Sequence, residues 1–449
     1  MKAMKKAVTI LVAGVMACSL LTACQSKPAK ESAGTKTPEA TADNTAAGES
    51  TPTPDLAGQE DKEPVTLSFM TMQTSYIEKQ DYINEQLQKV YPNITLEFSH
   101  VADNYETTVK TKFAAGDPPD LFDWNGYLSN KTFAEAGYFV DITDDNLNAN
   151  VLDQFKIAGE YDGRTYGIPT LVQASGLIYN EEAFEKAGIE KAPETLTELK
   201  EACEKLKAAG ITPFSTGLKD VWVSHQLFWN VAGPNVGDFE EWYYAMAGGS
   251  ASFLNDKTDK AFELIDIILA NTVENPLSSD AANSAHMLAT GKTAMCFMVS
   301  AQYPEYLKSN ENVKLHMVPI PVSEDPADRV MEYEANGIVF AAATGSHVEE
   351  ARNVLAWLGT PEGGGVLAEV NTSASPVKGV PSYGDPLITE ASQWVENGGK
   401  TVGFIKTYWP SGLTSEVGKQ LQSYVAGTID KAAFFKNIDD AFVKLANGS

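Results

Sequence analysis

Across residues 65–70 apolar and polar positions alternate with the two-residue period of a strand that buries one face. Residues 76–90 then carry Ile77, Tyr82, Ile83, Leu87 and Val90 at helical spacing, and 94–98 return to alternation. The three segments predict a βαβ unit. The same rhythm predicts helices over 105–115, 196–209 and 348–358 and strands over 120–124 and 293–299. Alternation of this kind predicts an α/β fold in which helices cover mixed, mainly parallel sheets. The stretch from 64 to 449 exceeds one typical core, so two lobes are expected. Ligands of open α/β sheets bind beyond the carboxyl ends of strands, which directs attention to the loops after Met70, Trp124 and Val299.

Two segments stand outside this rhythm. Lys2, Lys5 and Lys6 precede an uncharged apolar stretch over residues 7–21 that is short for a permanent span, the pattern of a secretory signal covering 1–23. Leu21-Thr22-Ala23-Cys24 follows, and it resembles the lipobox of bacterial lipoproteins, in which the cysteine thiol takes a diacylglyceryl group. Lipid chains on Cys24, at about 0.8 kcal/mol per buried methylene, would hold the protein on the outer face of the cell membrane. Residues 24–63 are rich in Ala, Thr, Ser, Pro, Glu and Lys and carry one large aliphatic, Leu56, so they read as a disordered tether. As a flexible coil such a tether reaches on the order of 35 Å.

The chain has 449 residues, with 60 acidic against 34 basic side chains and a formal charge of −26. That balance is the opposite of what a phosphate backbone selects, so nucleic acid is not an expected partner. Cys18 leaves with the signal, and Cys203 and Cys296 fall in apolar settings that read as buried thiols; sequence leaves open whether they pair. The five histidines show no H-x-H or H-E-x-x-H spacing, and no C-x-x-C, G-x-S-x-G or phosphate-loop pattern occurs. No cofactor, metal or catalytic residue is expected, although the acidic run 141–145 has the composition of a weak cation site and a pair of glycosidase carboxylates is not excluded by counting.

Several ordered motifs resemble one family. Phe113-Ala114-Ala115-Gly116-Asp117-Pro118-Pro119-Asp120-Leu121, Asp162-Gly163-Arg164-Thr165-Tyr166-Gly167-Ile168-Pro169, Ile178-Tyr179-Asn180-Glu181 and Gly291-Lys292-Thr293-Ala294-Met295 are similar to signature segments of the family 1 extracellular solute-binding proteins of ABC transporters. The group includes maltodextrin- and oligosaccharide-binding lipoproteins, and the resemblance covers residues 64–449. Read without the family, Gly116 through Pro119 stops a helix and forces an extended entry to the next strand. Asp120 reads as a turn or cap residue, and Asp162-Gly163 as a hairpin turn.

The resemblance implies a two-lobe, periplasmic-binding-protein-like fold of type II whose chain crosses a hinge three times, near Ala174, near Met317 to Pro319 and near Val380. One lobe would hold residues 64–173 and 319–380, the other 174–318 and 381–449. It also implies a ligand set. Trp124, at the end of a strand where the family presents an aromatic to a sugar ring, either stacks on ligand or packs in the core, and Asn125 follows it with a donor and an acceptor. Gln73 and Thr74 follow the first strand and read as ligand contacts or as solvated turn residues. Gln173 precedes the first crossing. Trp222 is a stacking candidate, with His225 nearby read as a structural histidine rather than a base. Tyr333, Glu334 and Asn336 occupy an expected loop that faces the cleft in relatives, and Trp409 is a rim or cleft aromatic. Where many relatives carry Gly-x-Trp after the fourth motif, this chain has Val299-Ser300-Ala301. Stacking then falls to Tyr303, Trp222 or Trp409, or the ligand is not a sugar.

The expected function is capture of a small solute, a mono- or oligosaccharide, by a monomeric lipoprotein that encloses it by hinge closure and delivers it to ABC permease subunits. The alternatives are a secreted lipoprotein enzyme acting on polysaccharide and a sensory binding protein for a membrane kinase.

Overall fold

A computed structural model describes residues 62–101 and 105–448. Cys24, the signal segment and all but the last two residues of the expected tether lie outside the described residues. β1 (Val65–Thr71) buries Leu67 and Phe69 and runs parallel to β2 (Ile94–His100), with Val65 opposite Ile94 and Thr71 opposite His100. The single helix expected over 76–90 is two, Thr74–Glu78 and Gln80–Gln88. The break falls at Lys79, whose φ of −116° and ψ of 18° leave the helical region. The helix Tyr105–Ala114 leads to β3 (Leu121–Trp124), parallel to β1. Asp120 joins the two strands: its Oδ2 accepts from Ser68 N at 2.9 Å and Ser68 Oγ at 2.7 Å.

β4 (Glu160–Tyr161) and β5 (Arg164–Thr165) form a hairpin about Asp162 and Gly163, whose φ values of 50° and 72° are those a tight two-residue turn requires. β6 (Gly167–Asn180) follows at once and is 14 residues long, roughly 46 Å at about 3.3 Å per residue. The remaining strands are β7 (Thr212–Phe214), β8 (Thr293–Val299), β9 (Leu315–Val318), β10 (Met331–Ala341) and β11 (Thr401–Val402). The sheet order is β2-β1-β3-β10-β6-β8-β7, with β11 on β10 and β9 on β6. β6 changes partners along its length. From Gly167 to Ser175 it pairs antiparallel with β10, and from Ser175 onward with β8 and then β9. The parallel pairings expected from alternation occur at β1-β2, β1-β3, β7-β8 and β10-β11, while every pairing of β6, and that of β10 with β3, is antiparallel. Tyr333, Glu334 and Asn336 therefore lie in a strand, not in the loop expected for them.

The helices cover the sheet with two apolar clusters. The smaller seats Leu67, Phe69, Leu96 and Val339 of the sheet against Tyr76, Ile83, Leu87, Val354 and Trp357. The larger runs from Phe122, Trp124 and Phe133 through Leu177, Leu199 and Cys203 to Phe228, Phe434 and Phe442. Cys203 and Cys296 are both buried in it and both free, and burial pushes each thiol up to about 12. Among the described residues no helix is long and apolar enough to cross a membrane.

Gly126 shows how closely the loop after β3 is packed. Its φ is 75°, and a Cβ there would lie 2.3 Å from the carbonyl oxygen of Ala158. Gly126→Ala is expected to destabilise the protein by about 2 kcal/mol or more, from left-handed strain and the backbone clash together. Chemical denaturation followed by tryptophan fluorescence reads this directly; a midpoint equal to that of the unaltered protein would contradict the packing described.

Candidate functional site

Side chains of paired residues in an antiparallel ladder leave the sheet on the same face. In the β6-β10 register Ser175 faces Glu332, Gln173 faces Glu334 and Leu171 faces Asn336, which sets a polar stripe on one face of the two longest strands. Glu332 is fully buried; its Oε2 accepts from Trp229 Nε1 at 3.0 Å and from Asn230 Nδ2, and Asn230 Nδ2 also reaches Ser175 Oγ at 3.0 Å. Glu332 Oε1 has no partner among the described residues. Glu334 Oε2 accepts from Phe404 N at 2.7 Å. Asn336 Nδ2 donates to Gln173 Oε1 at 3.0 Å. The Lys406 ammonium sits 4.6 Å from the centre of the Trp229 ring and 5.5 Å from that of Phe404.

Burial sets the electrostatics of this cluster. It raises Glu332 well above the ordinary carboxylate range and Glu334 to about 8, with the Phe404 N–H and Lys406 pulling Glu334 back. It lowers Lys406, against the opposing pull of Glu334 and Glu332. Burial and the charge of Lys406 push His225 down to about 3, so that imidazole is neutral; its Nδ1 is unpartnered and its ring lies 5.2 Å from Trp229.

One cavity takes in Gln173 and Asn336 of the stripe, and another takes in Lys406. The first, of about 370 Å³, is lined by Gln73 from the end of β1, by Gln173 and Asn336 from the stripe, and by Ser300, Asn371 and Ser373. Ala301 also lines it, a methyl where the resemblance led to an expectation of tryptophan. Asn371 Oδ1 accepts from Ser75 Oγ at 2.7 Å and Ser373 Oγ donates to Val172 O at 2.8 Å. Between them Thr372 takes a φ of 49°, an uncommon conformation for a β-branched residue, at the cavity rim. Asp385, also on the rim, is raised to about 7 by burial despite the N–H of Leu387.

The second cavity, of about 320 Å³, is lined by Trp124, Asn125, Lys406 and Trp409 together with Tyr243 and Glu106. Trp124 is 1 % exposed, its ring held by Phe133 at 4.6 Å and Tyr105 at 6.5 Å, so no open indole face is left for stacking. Trp409 is 8 % exposed and meets Phe253 edge to face at 5.8 Å. Among the described residues neither Nε1–H, itself closed to solvent, has an acceptor. Asn125 is exposed. Glu106 is engaged by Lys110 Nζ at 2.5 Å and by Ser411 Oγ at 3.3 Å.

The remaining candidates lie apart. Thr74 is exposed, its Oγ1 3.3 Å from His100 Nε2. Trp222 is 37 % exposed in an open hollow with His225 and Thr414. Tyr333 points to the face of β10 opposite the stripe, with its hydroxyl 2.9 Å from Ser392 Oγ and its ring 5.7 Å from Phe155. Glu334 lies beneath Phe404 and lines neither cavity. Ser300, Asn371, Thr372, Ser373 and Asp385 were not singled out from sequence. The run Asn371-Thr372-Ser373 before Pro376, polar residues closing a helix, was the available signal for three of them. The acidic run at 141–145 is taken up by Arg164 on Asp141 and Arg352 on Asp145. Among the described residues no group of three or more His, Cys, Asp or Glu could hold a metal.

The chain matches the family model for bacterial extracellular solute-binding proteins over residues 74–365. It is 23% identical over 381 residues to an uncharacterized ABC transporter extracellular-binding protein of Pyrococcus horikoshii, covering 82% of this chain and 80% of that one. It is 21% identical over 363 residues to the melibiose/raffinose/stachyose-binding protein of Bacillus subtilis, covering 76% and 80%. A solved structure from work on xylan utilization by Caldanaerobius polysaccharolyticus has a TM-score of 0.71 at 25% identity, over 84% of this chain and 100% of that chain.

The buried carboxyls also set a pH dependence. Glu334 at about 8, Asp385 at about 7 and Asp123 at about 6 all hold their protons more tightly folded than at their ordinary values of 4.5 and 3.8. Their contribution is greatest at acid pH and is lost as pH rises from about 4 through 8. The melting temperature is expected to fall by several degrees between pH 5.5 and pH 8. Glu334→Gln, which keeps an acceptor for Phe404 N, should flatten the upper part of that fall. Scanning calorimetry across the range, with a flat or rising profile in the unaltered protein, would refute the assignment.

Proposed function

Because the chain belongs to the bacterial extracellular solute-binding proteins, and shares the mixed α/β fold of their two-lobe members, we propose that it captures a small saccharide between two lobes and delivers it to an ABC importer. The observation that carries the saccharide reading is the first cavity. Gln73, Gln173 and Asn336, from three different strands or strand ends, meet there with Ser300, Asn371 and Ser373. Amides and hydroxyls offer donors and acceptors side by side, which is what neighbouring sugar hydroxyls need. The volume falls in the range of small-molecule sites. The Bacillus subtilis relative named for melibiose, raffinose and stachyose supports the same reading.

The lobes are residues 64–173 with 319–380 and residues 174–318 with 381–449. The change of partner along β6, from β10 to β8 at Ser175, supports a crossing there. Gln73, Gln173, Asn336 and Asn371 then belong to one lobe, and Ser300, Ala301 and Asp385 to the other. A ligand touching both gains its full contacts only when they close, and shifts that equilibrium by its differential affinity. The protein releases its ligand unchanged and has no covalent step. It acts as a monomer at the outer face of the cell membrane, held there through lipid on Cys24 after cleavage of residues 1–23; the lipobox-like Leu21-Thr22-Ala23-Cys24 supports the anchor.

A thermal-shift screen against mono- and oligosaccharides, amino acids, peptides and polyamines tests this reading. A saccharide at a hundred times its dissociation constant should stabilise the protein by about 2.7 kcal/mol, with no product formed on incubation. Gln173→Ala and Asn336→Ala should each weaken that saccharide about tenfold, close to 1.4 kcal/mol. A shift produced by peptides or polyamines alone would remove the saccharide reading, and release of cleaved glycan would remove the receptor reading.

A further inference from the structure

The hydrogen bonds already made around the first cavity decide what its wall has left to offer. Asn371 donates through Nδ2 to Leu367 O at 2.9 Å, so its Oδ1 is the atom that accepts from Ser75 Oγ. Ser373 Oγ likewise gives its proton to Val172 O. A hydroxyl whose proton is engaged keeps only lone pairs, so both serines have acceptor capacity left and no donor. Gln173, whose Oε1 takes Asn336 Nδ2, retains its amide donor. Two carboxyl side chains, Glu78 and Asp385, also line the cavity, and no Lys, Arg, His or aromatic side chain does. Among the described residues neither carboxyl is in an ion pair and no side chain donates to either. None of the polar side-chain atoms on this wall is shut away from solvent without a partner, so the capacity that remains opens onto the cavity.

We propose that the solute is an amino sugar, its ammonium group held by Asp385 in the first cavity while its hydroxyls meet Gln73 and Gln173. The inference rests on the saccharide reading and specifies its substrate class. An ammonium carries three donors and no acceptor, the complement of a wall on which lone pairs predominate. Asp385 is 4 % exposed and caps the helix Pro386–Glu396, its Oδ1 accepting from Leu387 N at 2.8 Å. Burial raises it to about 7 against the pull of the Leu387 and Ile388 N–H groups, and no cation of the protein offsets that burial. A carboxyl raised by desolvation regains its charge when an opposite charge is set against it, which a neutral hydroxyl does not supply. Glu78 is exposed and adds negative charge to the same wall, and a chain of formal charge −26 draws cations from a distance. On the lobe division proposed above, Asp385 lies on one lobe and Gln73 and Gln173 on the other, so an amino sugar held in this way ties the two together.

Calorimetric titration at neutral pH with matched sets separates the outcomes: glucose, glucosamine and N-acetylglucosamine, and then cellobiose, the glucosamine dimer of the same linkage and its diacetyl form. The acetylated member keeps the nitrogen and loses the charge. In at least one set the amine should bind about ten times as tightly as both uncharged counterparts, as a charge-assisted hydrogen bond in place of a neutral one predicts. Rising salt should reduce that advantage. Asp385→Asn, which keeps an acceptor for Leu387 N, should bring the ratio of affinities close to one, and Glu78→Gln, at an exposed position, should lower it by about twofold. Uncharged members binding as tightly as the amine, or a preference that survives Asp385→Asn, would overturn the inference while leaving the saccharide reading in place. Failure of every saccharide to bind would overturn both.

Discussion

A carboxyl in the middle of a sheet is driven toward its neutral form and still needs donors, and Glu332, raised well above the ordinary carboxylate range by burial, finds its donors outside its own sheet. Trp229 and Asn230, successive residues of the helix Val221–Ala232, reach across to one of its oxygens, and Asn230 touches Ser175 of the neighbouring strand as well. Two positions further along, Glu334 takes the backbone N–H of Phe404. These contacts fix β6 and β10 against the segment that presents Lys406 and Trp409. Breaking one partner of such a buried set leaves an uncompensated polar group, which makes the arrangement specific even where its net contribution to stability is small. Through these bonds the two glutamates tie the stripe to the helix Val221–Ala232 and to the segment that carries Lys406.

Much of the chain's layout was legible because it follows local periodicity. The strand Thr293–Val299 and the helix Val348–Leu358 fall where spacing predicts them, and the hairpin turn follows from Asp162-Gly163. The two strands that organise the molecule were less legible. β6 is buried on both faces for most of its length, so it shows no alternation, and β10 carries Glu332, Glu334 and Asn336, residues that read as loop. The two carboxyls are accommodated by donors about 70 to 105 positions away and by burial that raises both toward the neutral form, and no local pattern reports that. The split of the 76–90 helix at Lys79 was hidden for a similar reason, since the apolar spacing runs through the break.

Site residues divide along the same line. Gln73 was expected from its place after the first strand, Gln173 from the expected crossing and Asn336 from the family resemblance, and all three line one cavity. Trp124, Asn125 and Trp409 line another, where the tryptophans are packed against Phe133 and Phe253. Tyr333 shows the limit of position alone: one step along a strand reverses the face, and its hydroxyl goes to Ser392. Asn371 and Ser373 enter the first cavity because the helix Pro361–Val370 ends beside β6, a tertiary fact that residue type does not carry. Ala301 lines the same amide-lined cavity.

The central claim is that a solute is gripped between two lobes that meet at β6 and β10. Small-angle X-ray scattering, with and without a saturating saccharide known to stabilise the protein, tests it most directly. The account predicts a smaller radius of gyration and a shorter maximum dimension in the bound state. Profiles that superimpose while the ligand is demonstrably bound would contradict it.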